Sequence, residues 1–442
     1  MPEKSIPKIR PAEQKSILGS LRTGVTPSAG LHHIQVGRVR EVDSLLNDIE
    51  HIADGGSAFR LVIGDFGSGK SFFLHLIRAI ALQKGLVTLN ADLSPDHRLH
   101  SSSGRVRNLF AQLMNNCSTR TTKDGGALTS IVERFIDKAR KEAEDKSITV
   151  NAAIEERLHH LTELVGGYDF AKVISAYWQG HLNQSEQKKS DAIRWLRGEY
   201  RVKTEAKNDL GVRTIIDDEN VYDHLKLLSL FVRQAGYKGL LVNLDEMVTL
   251  YRLATQKSRL SNYDQILRIL NDCLQGNAKH LGFLLSGTPD FLKDERKGLF
   301  SYEALKSRLA ENTFARAAGI KDYSGPTLHL DNLTPEDLVV LLRNLRHVFA
   351  AGDQTKYLVP DEALNAFLLH CSDRIGDAYY RTPRNTIKAF LDLLAVLDQN
   401  PEIQWQQHLN GVSVPFESNT DMPEVPIQSD EDDDDGLATF RL

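Results

Sequence analysis

The stretch Gly64-Asp65-Phe66-Gly67-Ser68-Gly69-Lys70-Ser71 decides the fold of this chain. It fits the spacing G-x-x-x-x-G-K-[ST], and its flanks supply the context that such a loop needs. Before it, Phe59-Arg60-Leu61-Val62-Ile63 reads as a buried strand. After it, Phe72, Phe73, Leu76, Ile77 and Ile80 recur at helical spacing, and Gly85 supplies a stop. Gly64, Gly67 and Gly69 let the backbone close into a nest whose N–H groups point at phosphate oxygens, and the helix N-terminus adds positive potential. In that frame Gly64 to Phe72 line a bound ATP, Lys70 reaches its β- and γ-phosphates, and the Ser71 hydroxyl is a ligand for Mg2+. Asp65 brings a negative charge into the loop, so its carboxylate is expected to point away from the phosphates. The bland alternative is a glycine-rich turn without a ligand.

A second acidic element fits the first. Gly239-Leu240-Leu241-Val242-Asn243-Leu244-Asp245-Glu246 is an aliphatic run ending in two acids, the pattern of a central parallel strand whose C-terminal edge faces a metal. Asp245 is expected to hold Mg2+ through water, and Glu246 to orient and deprotonate the attacking water. An acid directly after the metal aspartate favours hydrolysis over binding alone. Further on, His280 to Ser286 reads as another strand running into Gly287-Thr288. If it neighbours the Asp245 strand, Thr288, with Ser286 next, would sense the γ-phosphate; a hydroxyl that caps the following turn fits the same residues.

Composition excludes several classes. The 442 residues are 41% hydrophobic, enough for two or three domains with a sizeable core. No apolar run approaches a bilayer span, and Met1 to Lys8 lacks the apolar centre of a signal peptide, so no membrane role is expected. Cys117, Cys273 and Cys371 are odd in number and far apart, which favours a reducing cytoplasm over disulfides or a cysteine zinc site. The formal charge of −5 includes the acidic run Asp430-Glu431-Asp432-Asp433-Asp434-Asp435, and the rest of the chain is close to neutral. The histidines, including His32-His33, His97 with His100, and His159-His160, form no H-E-x-x-H or other metal spacing and read as core or surface residues.

The pattern divides the chain. Residues 1–33 form an N-terminal arm with a helix near Ala12 to Leu21. Residues 34–330 hold the nucleotide domain, interrupted at about 123–235 by an insertion with helical periodicity. Within it, Gln187 to Arg213 carries eight basic residues around Trp195 and Tyr200. This is either a nucleic-acid footprint or, since Asp191, Glu199, Glu205 and Asp209 are interleaved, an ordinary solvated helix face. Residues 331–400 turn to helices only, with Thr334 and Pro335 opening one and Thr382-Pro383-Arg384 opening the last. Residues 401–442 read as a disordered acidic tail, either a docking peptide for a partner with a basic groove or a solubilising end.

Val36-Gly37-Arg38, followed by Glu41, resembles the segment that precedes the first strand in origin-recognition-type AAA+ ATPases, where it lies beside the adenine. That resemblance makes the C-terminal bundle a lid. It puts Arg384 at the γ-phosphate, with Arg381 as fallback, and makes Arg308 a candidate arginine finger reaching a neighbouring subunit of a homo-oligomer; a surface helix arginine is the alternative. An arginine in a helix's first turn opposes the dipole, which itself hints at a ligand for Arg384. Leu21-Arg22 with Gly24-Val25 and Pro27, Val36-Gly37-Arg38, the phosphate loop, Trp195-Leu196-Arg197-Gly198-Glu199, and Gly236-Tyr237 through Asp245-Glu246 together resemble the bacterial P-loop family that includes the ATP-binding D protein of BREX antiphage systems. The resemblance covers most of residues 10 to 400. It implies an α/β P-loop NTPase, AAA+-like, with a five-stranded parallel sheet, a helical insertion and a lid. It further implies a cytoplasmic ATPase working on or around DNA beside other defence proteins, often a helicase. Two alternatives stay open: a nucleotide-gated scaffold that assembles protein partners without DNA, and a transposition-type ATPase that marks DNA.

Overall fold

The computed structural model describes residues 9–375 and 383–409. Five strands form one sheet: β1 (Ser57–Ile63), β2 (Val87–Asp92), β3 (Leu240–Asp245), β4 (Leu281–Gly287) and β5 (Thr327–His329), in the order β2-β3-β4-β1-β5. The pairing is parallel. Val87 to Asp92 run in register with Leu240 to Asp245, and Leu240 to Leu244 with Leu281 to Leu285. On the other side Leu61 N donates to Pro326 O at 2.8 Å and Leu330 N to Ile63 O at 2.7 Å, the slanted ladder of parallel neighbours. Every residue of β4 is buried, as is β3 up to Leu244, which explains why these strands read as continuous aliphatic runs rather than alternating ones. His280, expected in β4, instead turns the chain into it with φ 54° and pairs through Nδ1 with Ile52 O at 3.0 Å.

Within the described residues the chain forms two compact units. One takes the N-terminal stretch to Val42, Val62–Ile77 and the chain from Leu328 onward. Its core joins Ile17 and Leu21 of α1 (Pro11–Arg22) to Leu338, Leu342 and Leu345 of helix Pro335–Phe349, Phe367 of helix Asp361–Ile375, and Phe390 and Leu394 of helix Pro383–Gln399. Helix Pro335–Phe349 opens with a capping box: Asp337 N donates to Thr334 Oγ1, Thr334 N to the Asp337 carboxylate, and Pro335 takes the first position, where its missing N–H costs nothing.

The second unit holds Asp43–Leu61 and Arg78–Thr327. Six helices, Leu128–Lys146, Val150–Thr162, Gly167–Leu182, Glu186–Leu196, Lys203–Leu210 and Val221–Gln234, make up the expected insertion. Its centre is aromatic: Phe231 packs against Phe135 at 5.0 Å and Phe170 at 5.3 Å between ring centroids, and Trp195 meets Phe170 edge-on. Arg60 anchors β1 in this unit. It is 8% exposed and donates to both carboxylate oxygens of Asp48, at 2.6 and 3.0 Å, to Ser44 Oγ, and to the carbonyls of Tyr323 and Gly325.

Candidate nucleotide site

The phosphate loop leaves β1 and enters a 14-residue helix, Lys70–Gln83. Gly67 (φ 76°) and Gly69 (φ 89°) are left-handed, where a side chain would be strained. Gly64 is required for a different reason: a Cβ there would stand 2.5 Å from Ser68 Oγ and 3.2 Å from Leu330 O. At Gly69 a Cβ would meet nothing within 4 Å, so the concave face of the loop is open. Ser68 Oγ is buried without a hydrogen-bond partner, and Lys70 Nζ bends over the loop to donate to Gly64 O (2.9 Å) and Asp65 O (2.8 Å). An open cradle of left-handed glycines with an ammonium over it fits a polyphosphate.

Three outside segments hold this loop. Arg38, itself left-handed at φ 64°, donates to Ser68 O at 3.3 Å and to Asp331 O. Gly37 (φ 61°) lies beside the Asp337 carboxylate, and Val36 packs on the helical core, as does Phe72. Asn332 Nδ2 faces Asp65 Oδ2 at 3.4 Å, at the outer limit of a hydrogen bond. Arg384, exposed in the first turn of helix Pro383–Gln399, carries its guanidinium 5.6 Å from the centre of the Phe66 ring, and a Cβ on Gly24 would be 3.2 Å from its Cδ.

Within the second unit an acidic pair stands at the end of β3. Asp245 Oδ1 accepts from Ser286 Oγ and, at 2.8 Å, from the N–H of Glu246. Ser286 is 1% exposed, and its carbonyl accepts from Met247 N at 3.1 Å, so β4 holds the turn after β3 twice. Glu246 sits at φ 58°, an uncommon conformation for a non-glycine residue and of the kind found where a side chain must be aimed. Beside the pair, Asn243 Nδ2 donates to Asn90 Oδ1 at 2.7 Å across β2 and β3. Thr288 caps helix Pro289–Lys293, its hydroxyl accepting from Phe291 N, whereas Ser286 is the β4 hydroxyl that touches Asp245. Arg308 is exposed and bonded within the chain, Nε to Asn271 Oδ1 and its guanidinium to Ala304 O, both at 2.8 Å.

The basic segment Gln187 to Arg213 presents no aromatic platform. Trp195 is 0% and Tyr200 1% exposed; the indole donates to Thr214 O at 2.9 Å, and Arg194 lies over the Tyr200 ring while pairing with Glu205 at 2.7 Å. Arg381 and the acidic run at 430–435 lie outside the described residues. Among the described residues no helix is long and apolar enough to cross a membrane. Sequence reasoning missed the clamp role of Arg38 and the contribution of Asn332, because their partners are set by tertiary contact and leave no local signal.

Residues 9–413 match the model of a protein family described as BREX system ATP-binding protein BrxC/D. No curated protein matches the chain. Among solved structures the chain is similar to the Walker-type ATPase paby2304 of Pyrococcus abyssi, at 12% identity and a TM-score of 0.37 over 86% of this chain and 71% of that one. At that distance the likeness carries no argument about the site.

Proposed function

The chain belongs to the family of BREX system ATP-binding proteins BrxC/D, and from that premise we propose that it hydrolyses ATP as an AAA+-like switch or motor acting on or around DNA in antiphage defence. The observation that carries the reading is the phosphate loop, open and left-handed at Gly67 and Gly69, with Lys70 folded over it. In this reading the loop N–H groups and Lys70 bind the β- and γ-phosphates. Val36 to Arg38 and Phe66 border the nucleotide, and Arg384 shifts from the Phe66 ring to the terminal phosphate. The Ser71 hydroxyl and the Asp245 carboxylate each offer oxygen donors of the kind that suits Mg2+, an ion that when bound would neutralise phosphate charge. Glu246 orients the attacking water and takes its proton, Thr288 is the sensor of the same step, and Ser286 acts on it only through its hydrogen bond to Asp245. An arginine finger at Arg308 would have to exchange Asn271 and Ala304 for a neighbouring subunit's nucleotide.

The test is steady-state ATP hydrolysis by the purified protein, with and without double-stranded DNA, beside Glu246→Gln. DNA-stimulated turnover, lost in the variant while ATP binding persists, is expected. ATP binding with a near-zero rate that DNA leaves unchanged would overturn the DNA-directed reading. A nucleotide-gated scaffold is the second reading. The burial of Trp195 and Tyr200 favours it, since it leaves the basic segment without an exposed ring on which bases could stack.

A further inference from the structure

We propose that Glu13, His32 and His33 form a binding site for a transition-metal dication of the Zn2+ class. Glu13 lies in the first turn of α1, and His32 and His33 in the short helix α2 (Leu31–Ile34). One ligand atom from each, a carboxylate oxygen and two imidazole nitrogens, lie within 4.8 Å of one another. His33 Nε2 is 3.6 Å from Glu13 Oε2. That is too long for a hydrogen bond. Two donors at about 2.0–2.1 Å from a tetrahedral Zn2+ stand roughly 3.4 Å apart, so this pair is already near the required spacing.

The backbone fixes the arrangement. Gly30 starts α2 in the left-handed region (φ 73°), and its carbonyl accepts from His33 N at 3.0 Å. A Cβ on Gly30 would stand 2.5 Å from Ile17 Cδ1 and 2.9 Å from Glu13 Cγ, so the turn of α2 rests directly on α1 and no larger residue permits the approach. The two rings are neighbours, 4.0 Å between centroids. Two imidazoles and one carboxylate form a borderline donor set that prefers Zn2+ and its neighbours over Mg2+. The cysteines that could compete for such an ion are all buried. The bound ion would tie α2, and through it Val36 to Arg38, to α1.

The experiment is calorimetric titration of chelator-treated full-length protein with ZnCl2, in excess Mg2+, followed by the visible spectrum of the Co2+ form. One equivalent is expected, with affinity at least about tenfold lower in Glu13→Gln and in His33→Ala and the Co2+ absorption weakened in parallel. If Glu13 and His33 were only an ion pair, Glu13→Gln would shift thermal stability and leave Zn2+ binding untouched. That result, or no binding by the parent protein, overturns the site. Glu13→Gln keeps the side chain's size, so a folding failure of His33→Ala would not obscure the answer.

Discussion

Ser286→Ala isolates the support that β4 gives Asp245. The hydroxyl is 1% exposed and donates to Asp245 Oδ1, which also accepts the Glu246 N–H at 2.8 Å. A hydrogen bond to an ionised acceptor is worth about 1.5–3 kcal/mol. Because a second donor remains on the same oxygen, the low end applies, about 1.5 kcal/mol, which is roughly a factor of ten in an equilibrium constant. Removing one oxygen from a packed site leaves a void smaller than a methyl group, and the stability change should stay below about 1 kcal/mol. The loss therefore falls on the carboxylate. In an ATPase assay at saturating ATP with Mg2+ as the variable, the half-saturating Mg2+ concentration should rise about tenfold, with kcat recovered to within about twofold at high Mg2+. An unchanged Mg2+ dependence, or a loss of kcat that Mg2+ does not restore, would refute the role of Asp245 as a magnesium ligand steadied by Ser286.

Arg38→Ala removes the donor to Ser68 O and Asp331 O; ATP affinity, followed with a fluorescent analogue, should fall about tenfold, and equal affinity would exclude a clamp. Arg60→Met strands Asp48 and two carbonyls in β1's surroundings and should cost about 3 kcal/mol in denaturant unfolding, with Arg60→Met/Asp48→Leu regaining most of it. His224 is 1% exposed, with Nδ1 donating to Asn220 O and Nε2 unpartnered, and burial lowers its pKa. The unfolded chain then takes up a proton that the folded chain resists. Stability should be full above about pH 6.5 and fall as the pH drops below it, and His224→Leu should flatten that acid limb in thermal melts.

What could be read from the sequence is what depends on neighbours along the chain. The strand, loop and helix around Gly64 to Ser71, the aliphatic run into Asp245, and the Thr334-Pro335 helix start all follow from spacing within a few residues, and all are found. The interleaved acids of Gln187 to Arg213 leave a solvated face and a nucleic-acid footprint both open, and the burial of Trp195 and Tyr200 explains why aromatics recur there. Arg38 is expected beside the nucleotide from its place ahead of β1, whereas its acceptors in the folded chain lie 30 and 293 residues away, distances that no periodicity records. The metal-ligand grouping of Glu13 with His32 and His33 escaped for the same reason, since it depends on the close approach at Gly30. The left-handed backbone at Glu246 also leaves no mark, because glutamate does not advertise a positive φ as glycine does.

The adjacency of β2 and β3 bears on how the chain is made. Asn90 and Asn243 share a hydrogen bond across a separation of 153 residues. Closing a loop of that length is entropically slow unless the intervening helices collapse first and bring its ends together. The insertion should therefore fold as it leaves the ribosome, ahead of the sheet that encloses it in sequence. β1 is translated early, yet both its sheet neighbours, β4 and β5, emerge only after the whole insertion. A chain interrupted anywhere in between carries a complete phosphate loop on a strand with two bare edges, a product fit for aggregation or proteolysis rather than for partial activity.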